Sequence, residues 1–206
     1  MTALDDWDPR LDDSVPLETV IFHTDPFYAE CRAYGRIKQA QVERRLKRDV
    51  AVPCHGYLFL QEQDAQFLRE NGTDLNGGAV DDELLRVNGE DGRVRAIVKD
   101  FVPADAGINT RTLRRILRDI RSLNKLGIYV RDIRTDNFKA GQLVDFGLSR
   151  TEPHCVLDSL DEMAAWHSKV EDLVMFDNMV AEEGLVTNVR AMPNTAYCLK
   201  LRSWSK

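Results

Sequence analysis

Between Leu126 and Arg150 the chain reads LGIYVRDIRTDNFKAGQLVDFGLSR, and this run constrains the fold more than any other. Ile128-Tyr129-Val130 and Gln142-Leu143-Val144 are short apolar stretches that suit strands. A polar loop lies beside them. It carries Asp132 and, five positions on, Asn137; a hairpin then leads to Asp145-Phe146-Gly147, eight positions after Asn137. Strands this short do not hold together alone, so they need other elements to pack against.

Thr110 to Leu126 is the clearest helix. Leu113, Ile116, Leu117, Ile120 and Leu123 recur at three-and-four spacing and give it one apolar face. Asn109 or Thr110 can cap its start, and Gly127 can end it. Arg111, Arg114, Arg115, Arg118, Arg121 and Lys125 occupy the opposite face, on an arc of roughly 120° at about 100° per residue. Upstream, residues 17–22, LETVIF, read as a short strand. Pro26 suits a first helical turn, and the pattern stays helical from Phe27 to Arg48. Val50–Val52, a Pro53 turn and a strand over Gly56–Leu60 follow. Residues 61–92, rich in Gly, Asn and Asp, read as a loop or variable insertion. Arg95–Val102 reads as another strand. Glu162–Met179 reads as a helix with Met163, Trp166, Val170, Leu173 and Phe176 inward. Residues 1–16 read as a flexible acidic arm, and the C-terminal stretch to Lys206 is weakly patterned.

At 206 residues, with 43% hydrophobic and 30% charged side chains, the composition is that of a globular domain, expected here to span residues 17–206. No apolar run is long enough to cross a bilayer, so no membrane partner is expected. The N-terminal MTALDDWDPRLDD lacks the apolar core of a secretory signal. Cys31, Cys54, Cys155 and Cys198 form no C-x-x-C pair, which argues against a metal site or a disulfide scaffold. The expected location is cytoplasmic, with reduced thiols. The net charge of -6 argues against nucleic-acid binding, and no DNA partner is expected. Yet base collects in Arg32–Arg48 and Arg111–Arg134, and an acidic chain can still present a basic stripe.

The loop pattern R-D, four residues, N, then D-F-G is that of a protein-kinase catalytic centre. There the first Asp accepts a proton from a hydroxyl, and the Asn and second Asp supply oxygens to magnesium. The order strand, Glu-bearing helix, strands, helix, loop and D-F-G follows a kinase as well. The chain resembles a group of small fungal kinase-like proteins related to a Sim4 kinetochore subunit. Phe27-Tyr28-Ala29-Glu30-Cys31-Arg32-Ala33-Tyr34, Pro53-Cys54-His55-Gly56-Tyr57, Gly127–Asp132, Asn137, Leu143-Val144-Asp145-Phe146 and Pro153-His154 carry the resemblance. It implies an α+β, truncated protein-kinase-like fold, with a small N-lobe sheet and one helix over about 17–103 and a reduced helical C-lobe over about 104–206. Glu30 stands where a kinase has its helix-C glutamate. The matching lysine position falls on Val20, with Lys99 as a substitute from a later strand. No G-x-G-x-x-G precedes, and Val130 replaces the usual His of the loop.

The function expected from these features is a tRNA-dependent cyclodipeptide synthase, making an arginine-containing diketopiperazine from aminoacyl-tRNAs, arginyl-tRNA among them. This is a resemblance of type to small fungal enzymes of secondary metabolism. Asp132 would be the base, with Asn137 and Asp145 completing the catalytic group and Glu30 and His154 at the substrate. Arg111, Arg114, Arg115, Arg118, Arg121 and Lys125, joined by Arg44, Arg45 and Arg48, would bind the RNA backbone. No cofactor is needed in that scheme. The alternative is an atypical small-molecule kinase or a pseudokinase binding module, with ATP and Mg held through Asn137 and Asp145. A chromatin or kinetochore scaffold is a third reading. His55 is expected in the core, and Cys31 likewise rather than as a nucleophile.

Overall fold

A computed structural model describes residues 15–73, 75 and 93–192. The acidic arm, most of the 61–92 insertion and the C-terminal stretch lie outside them. Among the described residues the fold is a mixed α+β arrangement of six α-helices, one 3-10 turn and three small antiparallel sheets.

The expected first strand is instead helix α1, Leu17–Thr24. Pro16 offers its carbonyl to Thr19 N and Val20 N at 2.9 and 3.1 Å, which starts a helical turn. Val20 and Ile21 are both buried whereas Phe22 is exposed. A strand would have put two adjacent residues on opposite faces. Val20, the expected lysine position, therefore packs in a small apolar cluster with Val156.

Helix α2, Pro26–Val42, begins as its sequence implies: Pro26 sits in the first turn and Asp25 Oδ1 accepts from Phe27 N at 2.8 Å. It ends six residues before Arg48. Arg44 takes a left-handed backbone (φ 57°), and Arg45 N and Leu46 N return to Ala40 O. That reversal tucks Leu46 into the core.

Strands β1, Cys54–Phe59, and β2, Arg95–Lys99, form a two-stranded antiparallel sheet with Tyr57 opposite Ile97 and Phe59 opposite Arg95. Between them lies α3, Glu62–Glu70, where the sequence reads as loop. Gln61 N donates to Asp64 Oδ2 at 3.2 Å and Ala65 is buried. Local capping there outweighs the polar composition.

Helix α4, Leu113–Lys125, carries the expected apolar face: Leu113, Ile116, Ile120 and Leu123 are fully buried. Gly127 closes it at φ 73°, where a Cβ would lie 2.9 Å from Glu152 Oε2. Short strands follow: β3, Ile128–Tyr129; β4, Phe138–Lys139; β5, Gln142–Leu143; and β6, Arg150–Thr151. β3 pairs with β6 and β4 with β5. Two helices complete the described chain, α5 at Cys155–Ser159 and α6 at Glu162–Glu182.

One apolar core joins α2, α4, the β4–β5 hairpin and α6. Phe138, Phe146 and Phe176 are its largest fully buried side chains, each contributing about 1.5–3 kcal/mol by burial. On α6 the inward face differs from the expected one. Phe176 is inside, but Met163 and Trp166 are exposed, and Asp172, Asp177, Met179 and Val180 are buried instead.

Candidate functional site

An open cleft of about 550 Å³ lies between the β1–β2 sheet and the polar loop. Glu30, Lys99, Asp132, Arg134 and Asp145 line it together. The structure thus brings Glu30, Asp132 and Asp145 into one place, as the sequence implies. It also supplies a residue that was only a substitute there. Lys99 Nζ donates to Glu30 Oε1 at 2.6 Å and to Val144 O at 2.7 Å. The lysine comes from β2, after the glutamate helix in the chain, and spatial position alone reveals the pairing. Burial raises the Glu30 carboxyl above the usual range, while the hydrogen bond and charge of Lys99 pull it back. Glu30 is therefore paired with a cation of its own chain.

Asp25 adds a second tie. Its free oxygen accepts from Arg95 on β2 at 2.7 Å, and both side chains are nearly buried. The N-terminus of α2 and the sheet are thus joined at Asp25–Arg95 and Glu30–Lys99.

Asp132 has both oxygens engaged. Oδ2 accepts from Asn137 Nδ2 at 2.7 Å, and Arg134 Nε lies 3.3 Å from Oδ1. Asn137 also donates to Asp132 O at 3.0 Å. The loop is thus closed on itself at its two named residues. Asp145 Oδ1 accepts from Gly147 N at 2.7 Å, which sets the turn after β5. Phe146 points the other way, into the core against Tyr34, with ring centroids 5.2 Å apart.

The loop is positioned by a residue that sequence reasoning missed. Asp172 on α6 is fully buried and accepts from Val130 N at 2.9 Å, Arg131 N at 2.7 Å and Asn124 Nδ2 at 2.7 Å. Burial drives its carboxyl upward and the three donors oppose that shift. Two consecutive backbone donors on one carboxylate fix Arg131 in a left-handed conformation, φ 61°. Nothing in the pattern of α6 marks Asp172, because an acid on a helix normally faces water.

His154 is not at the cleft. It is 1% exposed and caps α5: its Nδ1 accepts from Val156 N, and its Nε2 meets His23 O at 3.0 Å. His23, His154 and Cys155 place possible ligand atoms within 4.8 Å of one another. Both ring nitrogens of His154 are engaged, however, and His23 Nδ1 meets the Arg32 guanidinium at 2.5 Å. Burial lowers His154 to about 3, helped by His23 and Arg150; burial and then Arg32 lower His23 to about 4. The cluster is a neutral staple between α1 and α5. Arg32 extends it by donating to Thr151 O and Pro153 O.

His55 is not a core residue: its side chain is 60% exposed and meets Asp100 at 2.6 Å. Cys31 is half-buried, and burial pushes its thiol up to about 11, which suits an inert side chain. The second basic cluster is partly neutralised. Arg45 pairs with Glu43 at 2.7 Å and Arg48 pairs with Asp119. On α4, Arg115 donates to Ala140 O and Arg121 to Ala191 O, each at 3.1 Å. All six cations of that face are exposed.

The fold and this self-contained polar cleft define a mixed α+β protein whose acidic centre is held by its own cations. A family model described as kinetochore Sim4 complex subunit FTA2 matches residues 5–150, a span that includes α2, the cleft and the polar loop. The chain belongs to that family. No curated protein and no solved structure matches it. Membership overturns the cyclodipeptide synthase expected above, together with its place in secondary metabolism and its aminoacyl-tRNA partner. Those rested on a likeness of type, whereas the family match follows the residues themselves. Among the described residues, no helix is long and apolar enough to cross a membrane.

Proposed function

We propose that this chain is a protein-binding subunit of a kinetochore assembly, acting in the nucleus, and that its cleft is a joint rather than a reaction centre. The family match over residues 5–150 carries this reading. The cleft supports it. Lys99 is spent on Glu30 and Val144 O, and Asp132 on Asn137 and Arg134. A Lys–Glu pair is also a part of phosphoryl-transfer centres, so the pairing alone does not choose between a joint and a reaction centre; the family match favours the joint. Here the same residue types hold α2, β2 and the loop in register. The test is a fluorescently tagged chain expressed from its own locus. Centromeric foci, with other kinetochore subunits co-purifying in fixed ratio, are the expected result. A diffuse signal and a monomeric chain would refute the assignment.

A second reading is favoured by one observation: Lys99, Asp132 and Asp145 line the same cleft. A magnesium nucleotide held through Asn137 and Asp145, without turnover, would use that convergence. It predicts that ATP with magnesium raises the melting temperature of the purified chain and that Asp145→Asn abolishes the rise. Equal melting curves with and without the nucleotide dismiss it.

A further inference from the structure

We infer that the cationic face of α4 docks on the phosphodiester backbone of duplex DNA. This deepens the assembly reading above, on which the choice of DNA rests. Arg114, Arg118, Arg121 and Lys125 recur every three or four residues, so they form one row about 16 Å long at 1.5 Å per residue. Arg111 extends the row at its N-terminal end. All are exposed, and Arg111, Arg114, Arg118 and Lys125 have no ion pair among the described residues.

Two details turn a charged face into a site. Asp119 is the only carboxylate of α4, and it is buried and paired with Arg48, so no negative group on this helix faces an incoming phosphate. Arg121 within the row and Arg115 beside it are tied to the carbonyls of Ala191 and Ala140 and keep fixed positions.

The opposite face of α4 is buried in the core, and the exposed face offers long cations suited to phosphate oxygens. Contact to the backbone is independent of sequence. A protein partner fits less well, because docking faces have an apolar or aromatic centre and few charges there. The exposed side of α4 offers no apolar residue: Leu113, Ile116, Leu117, Ile120 and Leu123 are all buried. The expectation against DNA drew on the net charge of the whole chain, whereas phosphate contact depends on the local field.

The test is fluorescence anisotropy of the purified full chain with a labelled duplex DNA of roughly 20 base pairs, between about 50 and 200 mM salt. Four phosphate contacts predict a log–log salt slope near -3.6, at about 0.9 per contact. The Arg111→Ala/Arg114→Ala/Arg118→Ala variant is expected to weaken binding at least about tenfold and to flatten the slope by about 2.7. Arg45→Ala, which breaks only the pair with Glu43, is expected to change neither. Arg118→Glu gives a single-site check, and circular dichroism reports folding of each variant. No binding at the lowest salt overturns the inference, as does binding unchanged in both α4 variants, or tighter binding of a duplex RNA or of a glutamate-rich peptide. Centromeric foci that persist while DNA binding is absent would sink this inference and leave the assembly reading standing.

Discussion

Lys99 brings a positive charge into the cleft, where its side chain is 24% exposed, and Glu30 is more buried still at 11%. Removing one partner of such a pair strands the other, which costs more than the pair is worth. Lys99→Met is therefore expected to destabilise the fold by about 2–4 kcal/mol. The double variant Lys99→Met/Glu30→Met should recover most of that loss, and urea unfolding of the four proteins measures the coupling. The sequence reading put Glu30 at the helix-C position and its lysine at Val20, with Lys99 only as a substitute, because a kinase places the lysine strand before the glutamate helix. Here the order along the chain is reversed, and only folding brings residue 99 to residue 30. The histidines make a pH prediction at the same scale. His23 and His154 are held neutral in the folded state, at about 4 and about 3, against an ordinary 6.5. The unfolded chain binds more protons than the folded one between those limits, so stability rises with pH there. Their contribution is complete above about pH 6.5 and is lost as pH falls toward 3. The melting temperature is expected to drop on acidification from pH 7 to pH 4, and less steeply in His154→Asn. Parallel pH profiles for the two proteins would contradict the assignment.

At the scale of elements, α6 acts less as an apolar wall than as the support of the polar loop. Asp172 gives the loop two backbone hydrogen bonds and holds Asn124 of α4 as well. Asp172→Ala leaves those donors buried without partners and is expected to cost about 3 kcal/mol or more. Hydrogen exchange at the Val130 and Arg131 amides should accelerate in that variant ahead of exchange in α4. Uniform acceleration would show that Asp172 serves the fold in general and not the loop. The same residue explains why the inward face of α6 was misread. Met163, Trp166, Val170, Leu173 and Phe176 make a plausible apolar stripe, but the carboxylate at 172 is drawn inward by the loop's donors and turns the first two turns toward water. The apolar face of helix α4 was legible because its two faces differ completely in character, although the helix starts at Leu113 and not at Thr110. Helix α1 was not, because LETVIF has strand-like composition and its helical start depends on the Pro16 carbonyl.

Across the whole molecule, the ties inside the cleft are also the ties between its elements. The acidic residues that looked catalytic are braced by lysine, arginine, asparagine and backbone donors, and the same ties hold the sheet, α2 and the loop together. The α+β class and the gathering of Glu30, Asp132 and Asp145 could be read from the residues. Their use could not, because whether a carboxylate is free or spent is decided by neighbours distant in the chain. The row on α4 is exposed, and Arg111, Arg114, Arg118 and Lys125 have no ion pair among the described residues. The most direct measurement replaces the chromosomal gene with one carrying Asp132→Asn and Asp145→Asn, both near-isosteric, and scores centromeric localisation and subunit co-purification. An assembly subunit whose cleft is a joint predicts that both survive in a folded variant. Loss of both, with the variant protein folded and at normal abundance, would mean that the carboxylates do chemistry or bind a ligand after all.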